Sequence, residues 1–272
     1  MLNQRITTAL ILVPIVLCAI FLLPTPVFAA AVGIVVLLAG KEWLALAKLN
    51  GAKESALFWL GLVVSMLLAY GMVKYSQAGF YLFTIATVFW LYLIVTLLRY
   101  KPESSSEMGR VGKALLGIFL LAAAWAGLVA IHGYSEDGDL LVLFAMSLSW
   151  AADTFAYFSG RRWGKVKLAP NISPGKTREG VYGALLGAIV WGVLLSWWQP
   201  ELGHAMVLIL FCVALCFVSV FGDLFESLLK RQAGIKDSGN LLPGHGGVLD
   251  RIDSLIAVAP VFAFGLYLSG VL

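Results

Sequence analysis

Nine stretches of about 20 mostly apolar residues follow one another along this chain, separated by short polar segments. That repeat constrains the fold more than any other feature. A helix that crosses a bilayer needs about 20 consecutive apolar residues. Buried in lipid, the backbone must satisfy its own hydrogen bonds, so such segments fold as helices. The spans fall at roughly 6–23, 27–47, 55–73, 79–98, 113–132, 140–159, 180–198, 204–222 and 254–271. Composition agrees. Apolar residues make up 61% and charged residues 12% of the chain, against about 45–50% and 25% in soluble domains. The expected fold is an all-α polytopic membrane protein. Helices 1–5 occupy residues 1–135, and residues 136–272 form a second region of four helices carrying two long polar segments, about 160–179 and 223–253.

Lysine and arginine set the expected orientation, because they concentrate in cytoplasmic loops. With the N-terminus inside, 17 of the 19 basic residues fall in inner segments. Lys41 lies within the second span, and only Lys74 falls in an outer loop. The C-terminus is then outside. Ala29–Ala31 follow an apolar core and could suit a cleaved leader, but the first stretch reads better as a span because no exported domain follows it. Cys18, Cys212 and Cys216 all sit in apolar runs. Their spacing suggests neither a metal site nor a disulfide framework.

The densest polar stretch is Ser227–Asp253, SLLKRQAGIKDSGNLLPGHGGVLDRID. It places four basic residues, three aspartates, His245 and the Gly246-Gly247 pair within 27 residues. Asp223 closes the eighth span. Asp250 and Asp253 open the ninth, and their i, i+3 spacing puts both on one helix face. The ninth helix returns antiparallel to the eighth, so Asp223 can face Asp250. Three such carboxylates repel one another unless a cation lies between them, and hard oxygen ligands suit Mg²⁺. Ion pairing of Asp250 and Asp253 with Lys230, Arg231 or Arg251 is the structural alternative. In Pro243-Gly244-His245-Gly246-Gly247 the glycines would let backbone N–H groups approach a phosphate, with His245 beside the aspartates. His132 and His204, at outer edges, read as structural.

The other polar segment contains Ser173-Pro174-Gly175-Lys176-Thr177-Arg178-Glu179-Gly180. Its Gly-Lys-Thr resembles the end of a P-loop, but Pro170 stands where the first glycine belongs and no strand is expected ahead of it. Ser173 or Thr177 is expected to cap the seventh helix, with Lys176 and Arg178 at its positive end as an anion site. Asp153, in the sixth span, either joins the polar site or pairs with Arg161 or Arg162. Glu42, within the second span, is expected to pair structurally with Lys41 or another helix, although an intramembrane carboxylate is also a functional candidate. Most of these features lie at helix ends on one membrane side. A transporter would place them near the midplane on broken helices.

Ser227, Lys230-Arg231, Lys236-Asp237, Gly239, Pro243, His245-Gly246-Gly247 and Asp250-Arg251-x-Asp253 resemble the signature of the phosphatidate cytidylyltransferase family, also called CDP-diacylglycerol synthases. Ser173-Pro174-Gly175-Lys176-Thr177 with Glu179-Gly180, and Asp153-Thr154 with Ala156-Tyr157-Phe158, look like further family elements. The resemblance covers roughly 145–255. It implies transfer of CMP from CTP to phosphatidic acid, giving CDP-diacylglycerol and pyrophosphate, within phospholipid synthesis in the bilayer of a cell inner membrane. By resemblance Asp223 and Asp250 hold Mg²⁺ as a paired-metal site of two ions, with Asp253 in support, and the family also looks able to use K⁺ beside Mg²⁺. Lys230, Arg231, His245 and Arg251 join them as catalytic candidates. Lys176, Arg178 and Lys236 would hold phosphates, with Asp153, Ser173, Thr177, Asp237, Gly246 and Gly247 in the substrate site. A homodimer is a possible assembly, and nucleic acid is not an expected partner. Two other readings remain: a CTP-using lipid kinase, which would release CDP, and a non-enzymatic transporter. A CDP-alcohol phosphotransferase is disfavoured by the missing D-x-x-D-G-x-x-A-R pattern.

Overall fold

A computed structural model of the chain describes residues 2–100, 108–241, 243–244 and 246–270. Nine α-helices run through the described residues: α1 (Leu2–Leu22), α2 (Thr25–Leu46), α3 (Ala52–Lys74), α4 (Ser76–Leu98), α5 (Arg110–His132), α6 (Gly138–Trp163), α7 (Arg178–Trp198), α8 (Ala205–Ala233) and α9 (Leu249–Leu268). Eight of them are long and apolar enough to cross a membrane, and the described apolar part of α1, Ile6–Leu22, is somewhat shorter. The chain is a multi-pass helical membrane protein, as its apolar repeat requires.

α5 is the central post. Every residue from Leu120 to His132 is buried, which requires packing on all sides rather than on one stripe. α9 lies against it. A Cβ on Gly127 would fall 2.7 Å from the backbone of Ala259, so glycine sets that approach. α8 packs on the other side of α9, where a Cβ on Gly222 would fall 2.9 Å from the Asp253 carbonyl. α6 and α7 pair closely beside α8, while α3 and α4 pack outside α5 and α9. The outer helices keep apolar side chains exposed, among them Leu10, Leu57, Leu67, Tyr81 and Leu91. In a membrane protein those faces meet lipid.

Two local structures differ from expectation. A two-stranded antiparallel hairpin, β1 (Lys167–Ala169) and β2 (Ser173–Thr177), precedes α7. Residues 173–177 are therefore a strand, where no strand was expected. The reason is the turn at Pro170-Asn171, which folds Ser173 back onto Ala169. α8 also runs 11 residues past the apolar stretch that ends at 222. Its polar end remains helical because its charges form one stripe facing other protein groups. The helix stops at Gly234, whose φ of 78° permits the closing bond from Ile235 N–H to the Lys230 carbonyl.

Candidate active site

Polar groups gather where α2, α6 and α8 end and where α7 and α9 begin. Asp223, Glu226, Ser227 and Lys230 recur at i, i+3, i+4 and i+7 along α8, a single face. α9 runs antiparallel to it. One turn along α8 from Asp223 to Glu226 is matched by one turn back along α9 from Asp253 to Asp250. Asp223 therefore lies beside Asp253, which has its charge as a close neighbour, rather than facing Asp250 as the sequence suggests. Glu226 lies across from Asp250, and Lys230 joins the two at 2.6 and 2.7 Å. Asp223 takes Lys176 from β2 at 2.7 Å and the Ser227 hydroxyl at 3.2 Å. The Lys176 ammonium also donates to the Val220 carbonyl. That is a correction: Lys176 reaches α8 and not the start of its own helix.

The two oxygens of Asp250 have separate tasks. Oδ2 accepts from the N–H groups of Ser238 and Gly247 at 3.0 and 2.8 Å, while Oδ1 takes Lys230. Glu42 occupies the next amides. Oε1 accepts from Val248 N–H at 2.9 Å, and Oε2 accepts from Leu249 N–H and the Ser238 hydroxyl, each at 2.8 Å. Lys41 is exposed and is not its partner. The start of α9 is thus capped by a carboxylate some 200 positions earlier in sequence. The amides of Gly247, Val248 and Leu249 are engaged by Asp250 and Glu42, so the expected phosphate cradle of backbone N–H groups is a carboxylate cradle. His245 lies outside the described residues.

Thr177 caps α7, accepting from Gly180 N–H at 3.1 Å; Ser173 does not. Arg178 is exposed, and Glu179 closes the hairpin by accepting from Lys165 and Val166 N–H. A cavity of about 330 Å³ opens between α6, β2, α7 and α8, lined by Asp153, Tyr157, Arg161, Lys176 and Thr177. Arg161 donates to the Tyr157 hydroxyl, and Asp153 joins the polar site, with Lys176, Asp223 and Arg251 as its charged neighbours. Arg231 donates to the Ile172 carbonyl and ties the hairpin to α8. Lys236, Asp237 and Arg251 are exposed. Sequence reasoning assigned no role to Glu226 or Ser238. The i, i+3 spacing of Glu226 from Asp223 would have found it had the eighth helix been extended.

The residues suit a cation held partly by its ligand. Among the described residues no three His, Cys, Asp or Glu side chains converge as a closed cage. Mg²⁺ needs fewer, commonly one or two carboxylates with waters and substrate phosphates. Four carboxylates face two lysines here, and the Glu226 Oε1 oxygen is buried with no hydrogen-bond partner.

The fold and site define a multi-pass membrane protein whose acidic and basic side chains converge at one end of a helical bundle, beside a cavity. The chain belongs to the cytidylyltransferase family, whose model matches residues 3–269. It is similar to the phosphatidate cytidylyltransferase of Pseudomonas aeruginosa, 43% identical over 99% of this chain and 98% of that protein. The Haemophilus influenzae protein of that name is 38% identical over 97% and 98% of the two chains. The Thermotoga maritima one is 41% identical over 47% of this chain and 49% of its own length.

Proposed function

We propose that this chain is a phosphatidate cytidylyltransferase. It transfers CMP from CTP to phosphatidic acid and releases pyrophosphate, as a multi-pass protein of a bacterial inner membrane with the polar end of the bundle cytoplasmic. The observation that carries this reading is near full-length similarity to proteins of that name. The geometry supports it. Polar groups and the 330 Å³ cavity sit at one end for the nucleotide. An apolar cavity of about 240 Å³ reaches Ile252 and Ile256, beside Asp253, and suits acyl chains.

A phosphate oxygen of phosphatidic acid forms a bond to the α-phosphorus of CTP, and the bond from that phosphorus to the β-phosphate bridging oxygen breaks. The attacking oxygen is already anionic, so no strong base is required. What the protein supplies is positioning and charge compensation. Asp223 and Asp250 would hold Mg²⁺, with Asp253 and the free oxygen of Glu226 near; bound there, the metal neutralises charge on the phosphates. Lys176 and Lys230 offset the repulsion among the carboxylates and present ammonium groups to incoming phosphates. Arg251, next to Asp250 in the chain, adds to the basic set, and Lys236 and His245 join it by resemblance to the family signature.

The test uses purified protein in detergent with labelled CTP, phosphatidate and Mg²⁺, with and without K⁺. Pyrophosphate and a lipid-soluble cytidine product are expected, and both should vanish with EDTA. Release of CDP would instead establish the lipid kinase.

A further inference from the structure

Glu42 stands far in sequence from every motif that marks the site, yet its carboxylate takes three donors, as many as that of Asp250. It is 8% exposed. Its two oxygens take three donors, all from the segment between α8 and α9 or the first residue of α9. Two glycines of that segment are shaped around it: a Cβ on Gly239 or Gly247 would fall 2.4 Å from a Glu42 oxygen. Ser238 links it to the site. The Ser238 hydroxyl is held by Glu42, and its N–H holds Asp250 Oδ2. The Val248 and Leu249 amides that Glu42 caps lie directly before Asp250 in the chain. A negative charge at a helix N-terminus also suits the dipole. Six residues further along the same α2 end, Lys48 donates to the Gln232 carbonyl in the last turn of α8. One helix end therefore holds both sides of the segment, each with a charge of the sign that helix end favours.

We propose that Glu42 is a positioning residue for the cytidylyl transfer. By holding Ser238 and the first turn of α9, it fixes Asp250 so that Oδ1 faces the site while Oδ2 stays locked to the backbone. This rests on the reaction proposed above. Charge and shape are both required. Glutamine keeps one acceptor oxygen but turns an NH₂ group toward backbone N–H donors. Aspartate keeps the charge but falls one methylene short.

The experiment uses the full-length enzyme in detergent and compares Glu42→Gln, Glu42→Asp and Ser238→Ala. It measures kcat, KM for CTP, and amide exchange in peptides covering 235–250 and, as an internal control, 60–90. Glu42→Gln should lower kcat about 10–100-fold, the usual effect of losing a residue that orients a site group. KM for CTP should change little, since Glu42 is buried with both oxygens engaged by protein donors. Exchange should quicken in the first peptides alone. Glu42→Asp should recover part of kcat, and Ser238→Ala should lower it to a lesser extent with the same local exchange. Wild-type kcat in Glu42→Gln, or reduced kcat without faster exchange between 235 and 250, overturns the proposal. Should Glu42→Gln fail to fold, Ser238→Ala decides: slower turnover with faster local exchange supports the role, and unchanged turnover refutes it. A wild-type protein that makes no CDP-diacylglycerol would sink the reaction reading, while the exchange comparison would still show whether Glu42 sets the segment.

Discussion

The two ends of this bundle use polar residues in opposite ways. At the end away from the site, polar groups satisfy one another. His132 bonds Thr25 and the Ile20 carbonyl at 3.0 Å each and stacks on Phe28. Gln199 donates to Asp137, and His204 caps α8. At the site end, one cluster has more carboxylates than the lysines that pair with them. Asp223, Glu226, Asp250 and Asp253 crowd two lysines, and a buried Glu226 oxygen has no partner. Closed networks join helices. An open, charge-rich one costs stability and persists where a ligand completes it. The contrast separates an open charged network at one end from the fastening of helices at the other.

Substitutions should break that contrast unequally. Asp250→Asn should have the largest effect, removing at least 99% of cytidylyl transfer, because a carboxylate that would hold a metal is lost. Membrane insertion should persist, checked by yield and gel filtration. An active variant would remove Asp250 from the metal set. Lys230→Met should follow, leaving Glu226 and Asp250 facing each other; about 3 kcal/mol of stability is at stake when one partner of a buried pair is removed. Thermal unfolding in detergent and turnover should fall together. Gly247→Ala should cost about 10-fold in kcat by pushing the Glu42 carboxylate aside, with little change in unfolding temperature. On the opposite end, His132→Ala should lower stability by about 1–3 kcal/mol through unpaired groups, with turnover per folded molecule unchanged. Lys74→Glu should be nearly silent, since that ammonium only rests over the Tyr70 ring at an exposed position. A large loss of activity there would show that the orientation or the site is wrong.

Much of this was legible in residue order. Apolar runs located all nine helices, with boundaries shifted by up to about five residues except at the polar end of α8, which runs 11 residues further. The i, i+3 placement of Asp250 and Asp253 was correct, as was the packing role of Cys212 and Cys216, both buried in α8. The histidines at the far end are structural, as expected. Partners were harder to read. Nothing near Lys176 in sequence indicates that it reaches Asp223, 47 residues away, or that Asp223 would sit beside Asp253.

The sequence by itself determined which segments cross the bilayer, because lipid admits only self-satisfied helices of a set length. It also determined where charged residues gather, because charge is costly near lipid and concentrates at the helix ends. Only the tertiary structure decided how those charges are shared. Lys230 bridges two acids, Lys176 takes a third, and Glu42 leaves the second helix's register of apolar neighbours to cap the ninth. Helix periodicity specifies a face. Which face meets which is a property of packing, set here by the small residues Gly127 and Gly222 that let α9 approach its neighbours.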